Sequence, residues 1–463
     1  MKWISFSIFK NNVLLSWLQE RSLVFYIFSN ILSSIGFKKL NRSKPGVRYF
    51  RRYSKVVLRK NGTWNQGLVP WKPLLYNRAM SKNSESSFLQ SFSSFVSREG
   101  VLDHAARVAV TESLNVREGE RVLIVTNPVR EVATIAFALH DAVREAGAIP
   151  VLLFQPVKTQ FDFSEEVVTA SIATEPDVVI SLSAAKMGKD RRGIKEPYRV
   201  NGKPYDNILH YLLHGVKRIR SFWSPGITVD IFIRTIPVDY QRMKQDCAAL
   251  KSALDRSVAL EIENPKGTKI HIDTEGRTAF TDDGDFSRPG TGGNLPAGET
   301  FLSPVVGSAE GTIVFDGSIA SASGVLRIET PIRVRLENGF VVSIEGGTEA
   351  RALEETLQEA ALRARQYEAE GKLKRGEGDR YAKNARHLGE LGIGVNRNAR
   401  ITGNMLEDEK VYGTCHFAIG SNYDEDAPSL IHLDGLVSTP TIHAKTKEGS
   451  WETVMKEGRF PWE

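Results

Sequence analysis

The sequence predicts an α/β N-terminal domain with a parallel sheet over residues 100–256, followed by a mainly β (α+β) C-terminal metal-binding domain over residues 257–463. From Gly100, short apolar runs alternate with helical patterns at the spacing of βαβ units. From Ser257, short alternating runs broken by Gly or Asn are typical of antiparallel strands. Imidazole and carboxylate side chains gather in the stretch 388–435. The chain of 463 residues is long enough for two such domains.

Residues 1–84 are predicted to be a disordered leader, because their composition differs from that of the rest. They hold 16 Lys and Arg residues and a single acidic residue, Glu20, so this segment supplies the net charge of +6. The remainder is mildly acidic, which argues against nucleic-acid binding. A basic, Ser-rich leader is typical of a transit peptide into an organelle such as a plastid. Two alternatives stay open: a true start at Met80 in a cytoplasmic protein, and a membrane anchor, although no apolar run makes a convincing span of about 20 residues.

The α/β part is predicted element by element from its apolar periodicity. The loops of its sheet carry neither GxGxxG nor GxxxxGK[ST], so a nucleotide site is not expected. The basic segment Lys186–Val200 is predicted to be a mobile loop. His210 and His214 share one helical face, but no Glu follows His210 as in a zincin helix, so a structural role is favoured. Helices are expected over Leu102–Leu114, Arg130–Ala146, Ser164–Thr174, Tyr205–Val216 and Asp239–Arg256, and strands over Arg121–Thr126, Pro150–Phe154, Pro176–Leu182 and Thr228–Thr235.

The β part begins with a hairpin and continues through a Gly/Pro/Asp-rich loop, Thr281–Gly298. The two cysteines, Cys247 and Cys415, predict no disulfide framework and fit a reducing compartment. Strands are expected over Val258–Ile262, Lys269–Asp273, Glu299–Val306, Thr312–Ile319, Gly324–Leu326, Ile332–Glu337 and Phe340–Glu345, and a helix over Arg351–Gln366.

His432 and Asp434 are the strongest candidate pair for a metal. If SLIHLDG is a strand, both side chains leave the same face. Glu390 lies in an apolar, Gly-rich run, where a buried carboxylate needs a cation or several hydrogen bonds. His416 is also surrounded by apolar residues, and there a structural histidine is the alternative.

Glu299 and Tyr423 are further candidates. Glu299 follows a Pro-Ala-Gly turn, and its alternative role is that of an exposed turn glutamate. The Tyr423 phenol could hydrogen-bond a tetrahedral intermediate or simply pack on the protein. Carboxylates and histidines together suit metal-assisted hydrolysis, in which the metal activates water and a free carboxylate acts as general base.

The same stretches resemble the thermophilic-type metalloaminopeptidases, the aminopeptidase T and S group. The matching motifs are NLPAGETF around Glu299, LGELGIG around Glu390, GTCHFAIGSNY around His416 and Tyr423, and SLIHLDG around His432 and Asp434. The resemblance implies a homodimer with a dinuclear Zn, Co or Mn site that releases N-terminal residues from peptides. It implies Glu299, Glu390, His416, His432 and Asp434 as metal ligands, with Glu390 also activating water and Tyr423 as an active-site phenol.

The sequence departs from this family at one ligand. The family has an acidic ligand five residues before the histidine that matches His416, and here that position is Val411. Glu409 is the nearest candidate replacement, after Glu407 and Asp408. Shortened sequences of this kind also resemble the 2,5-dihydroxypyridine dioxygenases. That resemblance implies a mononuclear Fe(II) held by His416, His432 and Asp434. We therefore expect a metalloaminopeptidase, with a ring-cleaving dioxygenase as the alternative and a structural metal in a binding protein as the third hypothesis.

Overall fold

The structure is a computed structural model that describes residues 100–159 and 162–463. Before residue 100 it describes only the backbone of two strands, Lys55–Lys60 and Thr63–Leu68, which pair antiparallel. The predicted transit peptide, the start at Met80 and the membrane anchor otherwise lie outside the described residues. Among the helices that are described, none has the length and apolarity needed to cross a membrane.

A five-stranded parallel sheet forms the core of the first part. Its strand order is Gly292–Asn294, Arg220–Trp223, Val178–Leu182, Arg121–Thr126 and Ile149–Phe154. The central strand Val178–Leu182 is buried along its whole length, as expected of a strand covered on both faces. The predicted parallel sheet is therefore confirmed, and the first three predicted strands all lie in it.

Helices and short helical turns cover this sheet and connect its strands. Residues 100–108 are helical and run into a π-helical turn, Ala109–Ser113. Further along lie Arg130–Glu145, Glu166–Ile172, Arg191–Lys195, Ile208–His210, the π turn Tyr211–Gly215, Val229–Thr235 and Tyr240–Arg256.

Two predictions for this part are wrong. Thr228–Thr235 was expected as a strand, but the chain forms a helix over Val229–Thr235, because the Thr228 hydroxyl accepts a hydrogen bond from the Ile231 N–H and caps it. The segment Lys186–Val200 was expected as a mobile loop, but it holds the helix Arg191–Lys195. Asp190 caps this helix by accepting bonds from the Arg192 and Gly193 N–H groups.

The second part contains two seven-stranded sheets. The first has the order Phe340–Glu345, Ile332–Glu337, Glu310–Phe315, Lys269–Asp273, Ser257–Glu263, Thr441–Thr446 and Trp451–Met455. The second, called the site sheet below, has the order Phe280–Asp282, Glu299–Leu302, Leu388–Gly394, Thr414–Gly420, His432–Ser438, Ser318–Ser321 and Gly324–Arg327. Helices Thr348–Ala369, Glu377–Asn384 and Met405–Asp408 complete this part. Its mainly β character is confirmed.

The two parts share one sheet. The short strand Gly292–Asn294 lies inside the segment predicted as a long loop, and it pairs in parallel with Arg220–Trp223 of the first part. Residues 82–463 form one compact unit. The carboxyl end of the parallel sheet therefore lies close to the loops that lead into the site sheet.

A buried ion pair ties the start of the strand Arg220–Trp223 to the segment that follows the first helix. The side chain of Arg220 is only 4% exposed and pairs with Glu120, its Nη2 lying 2.5 Å from Oε2. Its Nε donates to the Leu114 carbonyl at 2.7 Å and its Nη2 to the Asn115 carbonyl at 3.1 Å. These bonds satisfy carbonyls at the end of the first helix.

We expect Arg220→Ala to lower the free energy of unfolding by about 3–5 kcal/mol, because it leaves Glu120 without its partner. Arg218→Ala is the matched control, since Arg218 is exposed and its pair with Glu175 should contribute about 0–1 kcal/mol. Urea unfolding followed by circular dichroism measures both. Equal losses in the two variants would contradict this account of the Arg220 contacts.

Candidate metal centre

Neighbouring strands of the site sheet bring the predicted ligands together. The cross-strand pairs are Asp282 with Glu299, Glu299 with Gly394, Gly392 with His416, Glu390 with Ala418, Ala418 with Asp434, and Gly420 with His432. Residues two apart on a strand share a face, so these side chains are delivered to one side of the sheet. All five predicted metal ligands lie in this one group of strands.

Small residues between the ligands make space for them. A Cβ at Gly392 would lie 2.1 Å from Nε2 of His416, so the imidazole occupies the volume of a missing side chain. A Cβ at Gly394 would lie 2.2 Å from the Val411 carbonyl oxygen. The run LGELGIG is therefore Gly-rich because its neighbours approach the strand backbone closely.

Glu390 lies at the centre of the cluster. Its Oε1 is 3.3 Å from Nε2 of His416, and its Oε2 is 2.9 Å from Nε2 of His432. Asp434 Oδ1 lies 3.3 Å from the same His432 nitrogen, and Glu299 Oε2 lies 3.5 Å from the His416 nitrogen. Two groups of potential ligand atoms result, Glu299–Glu390–His416 and Glu390–His432–Asp434, each within 4.8 Å. Glu390 belongs to both.

The imidazole of His432 is oriented for a metal. Its Nδ1 donates to the Ser421 carbonyl at 2.8 Å, which directs Nε2 toward the carboxylates. A backbone carbonyl on the far nitrogen is a common outer contact of metal-bound histidines, because it fixes the tautomer and the ring. His432 is also the open side of the cluster, with 25% of its side chain exposed against 1% for His416.

The electrostatics of the cluster fit a divalent cation. Burial would lower the pKa of His416, but its hydrogen bond with Glu390 and the nearby carboxylates raise it to about 9. Burial would lower the pKa of His432 as well, but the charges of Asp434 and Glu390 raise it far above its ordinary value. The carboxylates therefore favour positive charge at both imidazoles, and a divalent ion can replace that charge. Among the described residues, Glu299 Oε2 and Asp434 Oδ1 are buried without a hydrogen-bond partner, which is consistent with metal-ligand oxygens.

A buried lysine forms the other half of the cluster. Lys410 is 1% exposed, and its Nζ lies 2.5 Å from Glu299 Oε1, 2.8 Å from Glu409 Oε1 and 3.6 Å from Asp282 Oδ2. Burial raises the pKa of Asp282 to about 7, although Lys410 opposes the shift. Sequence analysis had not singled out Lys410 or Asp282 for this site. The only signal was a lysine beside the position where an acidic ligand was expected.

The acids weighed as replacement ligands have different partners. Glu407 is buried and pairs with Arg234, whose Nη2 lies 3.1 Å from Oε2. Asp408 accepts hydrogen bonds from the N–H groups of Thr402 and Gly403. Both therefore hold the loop together, and only Glu409 faces the cluster, where it contacts the Lys410 ammonium.

Aromatic side chains border the open side of the cluster. The Tyr423 ring lies 5.5 Å from the His432 ring and 4.8 Å from that of Phe301, and the Phe301 and Phe280 rings stack at 5.5 Å. Tyr423 is 53% exposed. The charge of Glu390, together with burial, raises the pKa of Tyr423, so the phenol keeps its proton. These rings, called the aromatic wall below, line a cavity of about 1210 Å³ with Glu299, Glu390, His432 and Asp434.

The remaining histidines lie apart from the ligand groups. His210 and His214 contact each other with ring centroids 5.9 Å apart, and burial lowers the pKa of both. His387 is buried against Phe340, and burial lowers its pKa to about 4. Cys247 and Cys415 are both free and buried.

Sequence comparison matches this chain to a protein family and to part of one enzyme. A family model described as 2,5-dihydroxypyridine 5,6-dioxygenase matches residues 105–438, more than half of the chain. The enzyme of that name from Pseudomonas putida is 26% identical over 129 residues, 28% of this chain and 36% of the relative, so the match spans only about a third of its length.

Two solved structures share the fold. The 2,5-dihydroxypyridine dioxygenase from Pseudomonas putida KT2440 aligns with a TM-score of 0.57 and 18% identity, covering 78% of this chain and 96% of that one. Wild-type AmpT from Thermus thermophilus, an aminopeptidase T, aligns with a TM-score of 0.53 and 18% identity, covering 78% and 99%. The double resemblance seen in the sequence is therefore confirmed.

We expect Gly392→Ala to weaken divalent-metal binding about 10–100-fold, because the new Cβ displaces the His416 ring. Titration calorimetry of the metal-free protein with Zn²⁺ measures the change. Gly100→Ala is the control, since no atom lies within 4 Å of the added Cβ. Unchanged zinc affinity in Gly392→Ala would contradict a role for His416 in the metal centre.

Proposed function

Because the chain belongs to the 2,5-dihydroxypyridine 5,6-dioxygenase family, we propose that it is a metal-dependent dioxygenase that cleaves the ring of a dihydroxylated aromatic substrate. The observation that carries the proposal is the aromatic wall beside the exposed edge of the histidine–carboxylate cluster. A planar ring that binds there contacts aromatic faces on one side and the ligand groups on the other.

The residues around the proposed centre have distinct tasks. His432, Asp434 and Glu390 would hold the ion at the open side of the cluster, and His416 would be its ligand on the buried side. Two histidines and a carboxylate with open positions are the ligand set of non-haem Fe(II) oxygenases, and the bound iron supplies the redox chemistry with O₂. Glu390 contacts both histidines, so it belongs in this ligand set in addition to the three residues that the resemblance implies.

Tyr423 and Phe301 orient the substrate. The Tyr423 phenol stays protonated and can donate a hydrogen bond to a hydroxyl or an oxygen that gains negative charge on the ring. The Phe301 face, packed against Tyr423 at 4.8 Å, limits how the ring can tilt. The Glu390 carboxylate and the backbone carbonyl of Ser421 fix the His432 imidazole. The substrate ring beside it therefore has a defined position relative to the ligand groups.

A metalloaminopeptidase is the second candidate. One observation favours it: Glu390 belongs to both ligand groups, as a carboxylate that bridges two metal ions would. In that function a bound Zn²⁺, Co²⁺ or Mn²⁺ would supply an activated water, and the substrate would be the N-terminal end of a peptide. The likeness to AmpT supports this candidate through the fold alone.

One set of assays separates the two functions. The full chain is stripped of metal, loaded anaerobically with Fe²⁺, and tested for O₂ uptake with 2,5-dihydroxypyridine and other dihydroxylated rings. Samples loaded with Zn²⁺, Co²⁺ or Mn²⁺ are tested with leucyl-p-nitroanilide. Ring-dependent O₂ uptake supports the dioxygenase. Peptide hydrolysis without O₂ uptake on any ring would overturn it in favour of the peptidase.

We expect Phe301→Leu to raise KM for the ring substrate about tenfold with a smaller change in kcat, because it removes a stacking face worth about 0.5–1.5 kcal/mol. Steady-state O₂ uptake measures both constants. Phe137→Leu is the control, since Phe137 is an exposed aromatic residue on the helix Arg130–Glu145. A loss confined to kcat in Phe301→Leu would argue against ring stacking on this wall.

We expect Glu390→Gln to reduce turnover at least 100-fold while the fold is kept, because an amide cannot supply the negative charge shared by the two histidines. O₂ uptake and the melting temperature are measured together. Glu345→Gln serves as the control, since this glutamate is exposed at the end of a strand. Near-full turnover in Glu390→Gln would remove Glu390 from the proposed centre.

A further inference from the structure

We propose that the Lys410 ammonium stands in the place of a second metal ion and is the reason that the centre binds one divalent ion per chain, the number that the dioxygenase resemblance implies. The inference rests on the proposed metal centre, and it is incompatible with the dinuclear peptidase. It assigns a role to a positive charge that lies among the carboxylates. It also names Lys410 as the positioning residue for Glu299 and Glu409.

The ammonium has the coordination of a bound cation. Carboxylate oxygens of Glu299, Glu409 and Asp282 surround Nζ at 2.5, 2.8 and 3.6 Å, and the side chain is 1% exposed. A lysine held only to neutralise surface charge would keep its head group in water. Here the whole side chain is enclosed, and three acids from separate segments converge on one nitrogen.

The backbone around Lys410 is fixed as firmly as its side chain. The Asn396 N–H donates to the Lys410 carbonyl at 2.8 Å, and the Lys410 N–H donates to the Glu407 backbone carbonyl at 2.9 Å. Gly394 packs directly on this turn, where a Cβ would lie 2.7 Å from the Lys410 carbonyl carbon. Gly394 is also the cross-strand partner of Glu299. The same close packing thus places the ammonium beside the carboxylate that it contacts.

A second divalent ion finds too few free ligands in this arrangement. It would have to use the group Glu299–Glu390–His416. Glu299 already gives one oxygen to Lys410, and Glu390 gives one oxygen to the His432 side of the cluster. Glu409, the candidate replacement for the missing acidic ligand, is also bound to the ammonium. In the proposed centre Glu390 and His416 serve the first ion, so Glu299 Oε2 is the one atom of this group left for a second ion, whereas a stable zinc site uses three or four protein ligands.

The inference has a chemical consequence. Two metal ions about 3.5–4 Å apart clamp both oxygens of a hydrolytic reaction. An ammonium can hold carboxylates in place, but it offers no open coordination position and cannot bind substrate as a metal does. A centre with one metal and one lysine therefore suits chemistry at a single ion, in agreement with the proposed function.

Metal counting on the full chain tests the inference. The protein is stripped with chelator, loaded with excess Zn²⁺ or Mn²⁺, separated from free metal by gel filtration, and analysed by plasma mass spectrometry. We expect one ion per chain in the wild type and two in Lys410→Met, because this variant frees Glu299 and Glu409 while keeping the volume of the side chain. Lys244→Met is the control, since Lys244 pairs with Asp285 at 3.0 Å and is partly exposed, and it should bind one ion.

Two further variants check that the second ion in Lys410→Met uses the freed acids, and the wild-type count tests the inference even if Lys410→Met does not fold. Lys410→Arg retains the positive charge and should bind one ion. The double variant Lys410→Met/Glu409→Gln removes one acid together with the lysine and should also bind one ion. Two ions in the wild type, or one ion in folded Lys410→Met, would overturn the inference while leaving the metal centre intact. No bound ion in the wild type would overturn the metal centre and the inference together.

Discussion

The structure depends on how it neutralises carboxylates that share one buried face of the site sheet. Glu299, Glu390 and Glu409 meet there with Asp282 and Asp434. Burying a carboxylate is costly unless a cation or several hydrogen bonds compensate it. The histidines compensate the acids on the open side, and Lys410 compensates those on the enclosed side. On the side that is open to the cavity, a metal ion can replace the protons of the histidines. On the enclosed side, Lys410 is a permanent part of the protein.

The fold supplies this arrangement through strand register and through glycine. Adjacent strands of the site sheet each contribute one or two charged side chains, and Gly392 and Gly394 leave room between them. The parallel sheet contributes from another direction: its edge strand Gly292–Asn294 leads through a short turn to Glu299 and borders the same cavity. The cavity is therefore built by both parts of the chain. A substrate that enters it first meets the aromatic wall and the exposed His432.

Much of this was predictable from the sequence, for physical reasons. Period-2 spacing correctly placed His432 and Asp434 on one face, and an acid in an apolar glycine-rich strand correctly marked Glu390 as buried. The helix Val229–Thr235 was missed because its β-branched residues have the composition of a strand, whereas its cap and its buried side decide for a helix. Lys410 could not be recognised, because two of its three partners, Glu299 and Asp282, lie 111 and 128 residues away, and only folding brings them together. The sequence also could not decide whether Glu407 or Asp408 is a metal ligand. The structure decides it, because Glu407 pairs with Arg234 and Asp408 accepts a hydrogen bond from the Thr402 N–H.

The most direct test of the account is anomalous diffraction from crystals of the full chain loaded with Zn²⁺ or, anaerobically, with Fe²⁺, recorded at the absorption edge of the metal. The account predicts one anomalous peak per chain, within about 2.0–2.3 Å of donor atoms of Glu390, His416, His432 and Asp434, with the Lys410 ammonium still between Glu299 and Glu409. Two peaks that share Glu390, with Lys410 turned away from the acids, would contradict it and favour a dinuclear hydrolase.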